Sequence, residues 1–370
     1  MRMKVPRTWR LDDVSSAWMA ETGVAGWIDL PDDPEAMLDE AERLGWGDGL
    51  PFIPATRERI DRMLLLNDVD PEDALDVMSP SGSQVTAAKV AANAVMAGCR
   101  PEVFPVVWAA LGVVLTPGFN HEGMNSTTHP TAPLVVVHGP IVKKAGFNAG
   151  IGTLGPGNRP NATVGRAMRL CLLNIGHARH GDGDYATQAS PAKYAYCMAE
   201  NSDESPWLPY YVEAGIDPDK SAVTVMGAEG PHHVNDHVSL TAEGLLATVG
   251  SMITVKGSNP TWLTNVQTII VLGPEHAATI AKSGFSRRDV QMWLYENARM
   301  PLKWYKTGGM WGMQIWPTWR NAIVDDEQLM CPLNSPDEFR IMVSGGPGKN
   351  SAVIPGDGMT RCWTVPIPGH

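Results

Sequence analysis

Residues 229–237, Glu-Gly-Pro-His-His-Val-Asn-Asp-His, hold three of the chain's ten histidines, with Glu229 and Asp236 beside them. Imidazoles and carboxylates ligate divalent metals and exchange protons near neutral pH. If the chain is helical from Val234 onward, His233 and His237 stand four apart on one face, the spacing by which a helix offers two imidazoles to one metal. The alternative is a group of loop residues in which Asn235 or Asp236 caps a helix over 238–252. A metal needs a third ligand. Glu229, His129 in Thr127-Thr128-His129-Pro130, and His276 after Gly273-Pro274-Glu275 are the candidates, with His121 and Glu122 behind them. Glu275 follows an expected strand, where α/β folds collect catalytic groups, and is a candidate acid or base. A divalent metal here would polarise a substrate or activate a water, giving hydrolysis, hydration or elimination.

A second stretch, Asn148 to Asn161, carries four glycines between 150 and 157 and leads into a helix expected from Ala162 to about Ile175, with Asn161 as its cap. A glycine loop feeding a helix N-terminus presents free N–H groups to an anion. Asn158 and Arg159 stand at its mouth, and Arg166 and Arg169 share a helix face suited to gripping a carboxylate or phosphate. The competing reading is an irregular loop with solvent-facing arginines. Neither the dinucleotide fingerprint nor the P-loop is met; Gly345-Gly346-Pro347-Gly348-Lys349-Asn350 has Asn where Ser or Thr should follow Lys. No nucleotide cofactor is expected.

Lys193 precedes the alternating Tyr194, Tyr196 and Met198, read as a strand, and could ground a substrate carboxylate or act as an acid or base if desolvated. Cys99, just past a helix end and beside Arg100, is the leading candidate for a thiol nucleophile. Trp304, Tyr305, Trp311, Trp316 and Trp319, with Met310 and Met313, make the segment 304–319 a candidate subunit interface, and hence the chain a candidate homo-oligomer.

The elements that must position these groups repeat. Val77 to Ser83 resembles Val225 to Pro231 at an offset of 148 residues, and Asn125 to Pro140 resembles Asn259 to Pro274 at an offset of 134. Each copy reads as strand, helix, β-branched strand, Gly-Pro turn and helix. The expected fold is α/β, a parallel or mixed sheet flanked by helices, with two pseudo-symmetric half-repeats. An arm over 1–55, a first half over 56–205 and a second over 206–370 follow. The first copy has Gln84, Val85, Ala88 and Lys89 where the second has His232, His233, Asp236 and His237, so the scaffold does not demand the histidines.

The net charge of −11, with no long basic run, argues against nucleic acid or an anionic membrane as the main partner. The longest apolar run, Val103 to Leu115, is too short to span a bilayer, and no signal peptide is recognised at the start. Five scattered cysteines without a Cys-x-x-Cys fit a reducing cytoplasm. The expectation is a cytoplasmic enzyme, a metal- or His-dependent hydrolase or lyase acting on a small anionic substrate. A thiol-linked redox enzyme with a separate partner protein, and a non-catalytic small-molecule-binding subunit, are the alternatives.

Several blocks together resemble a known family: Gly47-Asp-Gly-Leu-Pro51 with Pro54 to Arg59, Asn93 to Cys99, Thr127 to Pro130, Gly155 to Asn158, Gly227 to Pro231 with Asn235-Asp-His237, and Pro274 to Ala277. They are similar to an uncharacterised bacterial family whose relatives are associated with, or fused to, a small selenocysteine or cysteine domain bearing a Sec-Gly-Ser-Cys motif. This chain has no such segment. The resemblance implies a compact, enzyme-like protein acting with a redox partner domain.

Overall fold

The computed structural model describes residues 30–262, 266–307 and 322–370. Its longer helices are α1 (Pro34–Arg43), α2 (Arg57–Leu65), α3 (Ala87–Ala97), α4 (Phe104–Val114), α5 (His121–Ser126), α6 (Arg159–Asn174), α7 (Ala242–Ile253), α8 (Pro274–Lys282) and α9 (Arg287–Asn297). The strands that matter here are β1 (Ala74–Met78), β2 (Ser83–Thr86), β3 (Ala132–His138), β4 (Cys197–Ala199), β5 (Ala222–Ala228), β6 (His232–Asn235), β7 (Thr268–Leu272), β8 (Phe339–Val343), β9 (Asn350–Pro355) and β10 (Trp363–Pro366).

The local starts follow side-chain chemistry. Thr56 caps α2 through its hydroxyl, as its place before Arg57 predicts. Asn158, not Asn161, caps the helix after the glycine loop, because Pro160 suits the first turn and places the boundary three residues earlier. The segment after Asp70-Pro71 is not helical; it runs into the hairpin of β1 and β2.

Two four-stranded mixed sheets carry the core. The first has the order β10–β5–β3–β4 and the second β6–β9–β7–β8. Each reads the same way across: an antiparallel edge, an antiparallel neighbour, a central strand, and a parallel edge. The strands β3, β5, β7 and β8 are near-continuous apolar runs because both faces are covered. On one face of the first sheet, Val135, Val137, Val223 and Val225 pack with α3, α4 and α6. On one face of the second, Ile270, Leu272, Ile341 and Val343 pack with α7, α8 and α9. The alternate residues Leu134, Val136, Met226, Ile269, Val271, Met342 and Ile354 form a third cluster between the sheets. The molecule is a four-layer sandwich of helices, sheet, sheet and helices.

The repeat seen in the sequence is matched only in part: β3 and β7, at the offset of 134, are inner strands at the same place in the two sheet orders, whereas β1 and β2 form a hairpin of their own and β5 and β6, at the offset of 148 from them, join different sheets. Both Gly-Pro turns need glycine for the same reason. A Cβ on Gly139 would meet the Lys220 carbonyl oxygen at 2.5 Å, and one on Gly273 the Asn350 carbonyl oxygen at 2.3 Å. The last strands cross over: β6 follows β5 but joins the second sheet, while β10 follows β9 and joins the first. A division of the chain at residue 205 would therefore pass through the first sheet, which β5 and β10 complete.

Trp304 is half exposed with the Lys256 ammonium 4.9 Å from its ring centre, and Tyr305 is buried. The rest of the expected interface, Met310, Trp311, Met313, Trp316 and Trp319, lies outside the described residues. No helix among the described residues is long and apolar enough to cross a membrane.

Candidate active site at the rim between the sheets

At one end of the sandwich the C-termini of β5 and β9 meet. Ala228 bridges Gly356, the Glu229 N–H donates to the Pro355 carbonyl at 2.9 Å, and the Asp357 N–H donates to the Gly227 carbonyl at 2.8 Å. These bonds fix two carboxyl groups, Glu229 and Asp357, on adjoining turns. The Glu229 carbonyl also accepts the Tyr196 hydroxyl at 2.8 Å, tying the turn to the segment before β4.

Glu229 holds two imidazoles. Its Oε1 lies 2.9 Å from Nε2 of His129, in the turn before β3, and its Oε2 lies 3.1 Å from Nε2 of His232, at the start of β6. The side chains of His129, Glu229 and His232 are 21%, 13% and 27% exposed, so solvent reaches all three. Burial pushes the Glu229 carboxyl up, but the two imidazole hydrogen bonds outweigh it and hold the group down at about 2. An ionised carboxylate only accepts hydrogen bonds, so each imidazole donates to it from Nε2–H. Nδ1 of His129 is buried and has no hydrogen-bond partner.

Asp357 behaves oppositely. It is 1% exposed, its Oδ1 accepts the Met359 N–H at 3.3 Å, and its Oδ2 has no partner. Burial raises its carboxyl above the usual range, and the nearby Glu229 charge adds to that, against the Met359 bond and His129. Two carboxyl groups with pKa values pushed apart, beside an oriented imidazole, are the parts of an acid–base site.

This cluster gathers Glu229 and His129 from the expected set, and leaves the other members elsewhere. The chain is extended, not helical, over His232–Asn235, so His233 and His237 do not share a helix face. Alternation sends the adjacent histidines to opposite sides of β6. His232 reaches Glu229, while His233 is exposed, as is His237, whose carbonyl accepts the Lys349 ammonium at 3.1 Å. His276 is buried: Nε2 donates to the Asp236 carbonyl at 3.0 Å, and Nδ1 lies 2.8 Å from the Ser351 hydroxyl. It pins α8 to β9 and to the turn before α7. Glu275 is exposed and accepts the Gly348 N–H at 2.8 Å. Among the described residues no group of three His, Cys, Asp or Glu side chains is disposed to hold a metal ion. At the rim the two Nε2 atoms are spent on the carboxylate oxygens.

The expected anion grip is also committed internally. Arg166 makes a paired contact with Asp48, 2.7 and 2.8 Å, and donates to the Leu50 carbonyl. Arg169 pairs with buried Asp184 at 2.9 Å, and Lys193 with the same carboxylate at 2.7 and 2.8 Å. Arg159 is exposed, with Nε donating to the Gly98 carbonyl at 2.8 Å. Asn158 is spent as the α6 cap and on the Gly146 carbonyl. Lys193 sits in a 3-10 turn, and its strand begins only at Cys197. Cys99 is buried, its thiol 3.3 Å from the Thr163 carbonyl; burial pushes it up to about 12 despite Arg159 and Arg166. It is not poised as a thiolate.

Two site residues were passed over in the sequence. His232 stood in the cluster but was outranked by its neighbour, since the helical period favoured His233 and His237. Asp357 lies in Pro355-Gly356-Asp357-Gly358, a strand-end turn of the kind that collects functional groups, and that signal was legible. Comparison of the chain with family models, with curated proteins and with solved structures returned no match.

Proposed function

We propose that this rim is the catalytic centre of a general acid–base enzyme that hydrolyses, hydrates or eliminates across a small organic substrate. One observation carries the reading: Glu229 orients His129 through Nε2 and leaves its Nδ1 buried and unpartnered, in the electrostatic neighbourhood of Asp357, whose Oδ2 is likewise unpartnered. In this scheme His129 Nδ1 takes a proton from a water or from the substrate, and Glu229 stabilises the imidazolium that results. Asp357, whose carboxyl burial biases toward the protonated form, gives its proton to the departing or newly formed oxygen. Return of the proton from His129 to Asp357 then restores the starting state. His232 is the second imidazole on the Glu229 carboxylate and balances its position.

The test is a substrate panel of small esters, lactones, amides, hydroxy acids and unsaturated acids, run on the wild-type chain and on Glu229→Gln and His129→Gln. The reading expects turnover within one of these classes that falls by roughly 10²–10⁴-fold in both variants, the usual worth of general acid–base assistance. Turnover that survives undiminished in Glu229→Gln would place the chemistry elsewhere.

A further inference from the structure

A second polar network lies between the sheets, near the opposite end of β3. Fully buried His138 places Nδ1 2.7 Å from Glu200 Oε2 and Nε2 2.8 Å from the Thr224 hydroxyl. The Thr224 hydroxyl lies 2.9 Å from that of Thr364 on β10. Thr364 bonds the Tyr210 hydroxyl, which also bonds Arg340 on β8, while the Tyr210 N–H returns to Glu200 Oε1 at 2.6 Å. The hydroxyls of Thr224, Thr364 and Tyr210 thus form a hydrogen-bonded series that links the Arg340 guanidinium at the edge of the sandwich to the His138–Glu200 pair in its interior.

The cation end is incomplete. Arg340 is partly buried, its Nε is buried without a hydrogen-bond partner, and no carboxylate among the described residues is within ion-pair distance of it. A partly desolvated guanidinium with a buried Nε unpartnered and no facing anion is costly, and a planar fork is shaped for an oxyanion. The surroundings add positive charge. Arg361, whose Nη1 is 3.8 Å from Glu338, lies with Arg340 near the half-buried Cys362. We propose that Arg340 binds a small oxyanion, a carboxylate or a phosphate, at the edge between β8 and β10, with the Tyr210–Thr364–Thr224–His138 chain holding the guanidinium in place. This site uses none of the rim residues and stands or falls independently of the acid–base reading.

Calorimetric titration of the full chain with acetate, succinate and inorganic phosphate tests it, the order of affinities separating a carboxylate from a phosphate ligand. The expected result is saturable binding of at least one of these anions, weakened at least about tenfold in Arg340→Gln, as loss of a charge-assisted pair implies, and unchanged in Glu229→Gln. No saturable binding, or equal binding by Arg340→Gln, overturns the proposal. If that variant does not fold, alkylation of Cys362 in the wild-type chain decides. Slowing by the same anion supports the site, and an unchanged rate refutes it.

Discussion

Glu229 stays ionised in a half-buried turn because two imidazoles outbid the cost of burial, and that has a stability signature. Its folded pKa is depressed from an ordinary 4.5 to about 2. The stabilisation is therefore present above about pH 4.5 and is lost as pH falls toward about 2. Its size is on the order of 3 kcal/mol. Urea titrations at pH 6 and pH 3 should show a wild-type loss of stability that Glu229→Gln does not share to the same extent. Asp357 has the reverse sign. Its folded pKa is raised, so its favourable contribution is present below its ordinary value of 3.8 and disappears as pH rises through the folded value. Asp357→Asn is expected to melt at or above the wild-type temperature at pH 7 while abolishing turnover, the pattern of a group kept at a cost to stability. A clear drop in melting temperature would mark Asp357 as a structural group. For Cys99, a thiol held near 12 exposes roughly one thiolate in ten thousand at pH 8. Iodoacetamide followed by mass spectrometry should label it only after denaturant is added.

At the scale of elements, the histidine cluster turns on a single choice of period. Glu229 to His237 permits a helix, whose period of 3.6 pairs His233 with His237, or a strand, whose period of 2 separates His232 from His233. The strand prevails because β6 pairs with β9 from Asn235↔Asn350 to His232↔Val353, and a partner 115 to 121 residues away cannot be read from local pattern. The arginines were legible as a helix face, but their carboxylate partners were not. Asp48 and Asp184 approach from separate segments that only the folded chain brings near α6. The same geometry predicts a large effect at Asp184. It is nearly fully buried between Arg169 and Lys193, so Asp184→Asn strands two buried cations. The expected destabilisation is about 3–5 kcal/mol by chemical denaturation, against about 1 kcal/mol or less for breaking an exposed pair such as Lys143–Asp203.

For the molecule as a whole, the α/β class and the two equivalent central strands were legible. β-branched runs ending in Gly-Pro recur at fixed offset, and both Gly-Pro turns sit under a neighbouring backbone. The exchange of terminal strands was not legible. Nothing local to Trp363–Pro366 says that it closes a sheet begun at Ala132. Removing residues 361–370 should therefore damage the first sheet, seen as loss of the cooperative thermal transition by circular dichroism; a native-like melt would show that β10 is dispensable. The two sheets also explain why the rim exists: one delivers Glu229, the other Asp357, and β6 and the turn before β3 deliver the imidazoles. The most direct test is a carbon-13 carboxyl titration, with Glu229 and Asp357 assigned from Glu229→Gln and Asp357→Asn. The account predicts that Glu229 does not titrate between pH 8 and pH 4, that Asp357 titrates above the ordinary aspartate range, and that Asp357 falls when Glu229 loses its charge. Ordinary, mutually independent titrations of the two carboxyl groups would contradict it.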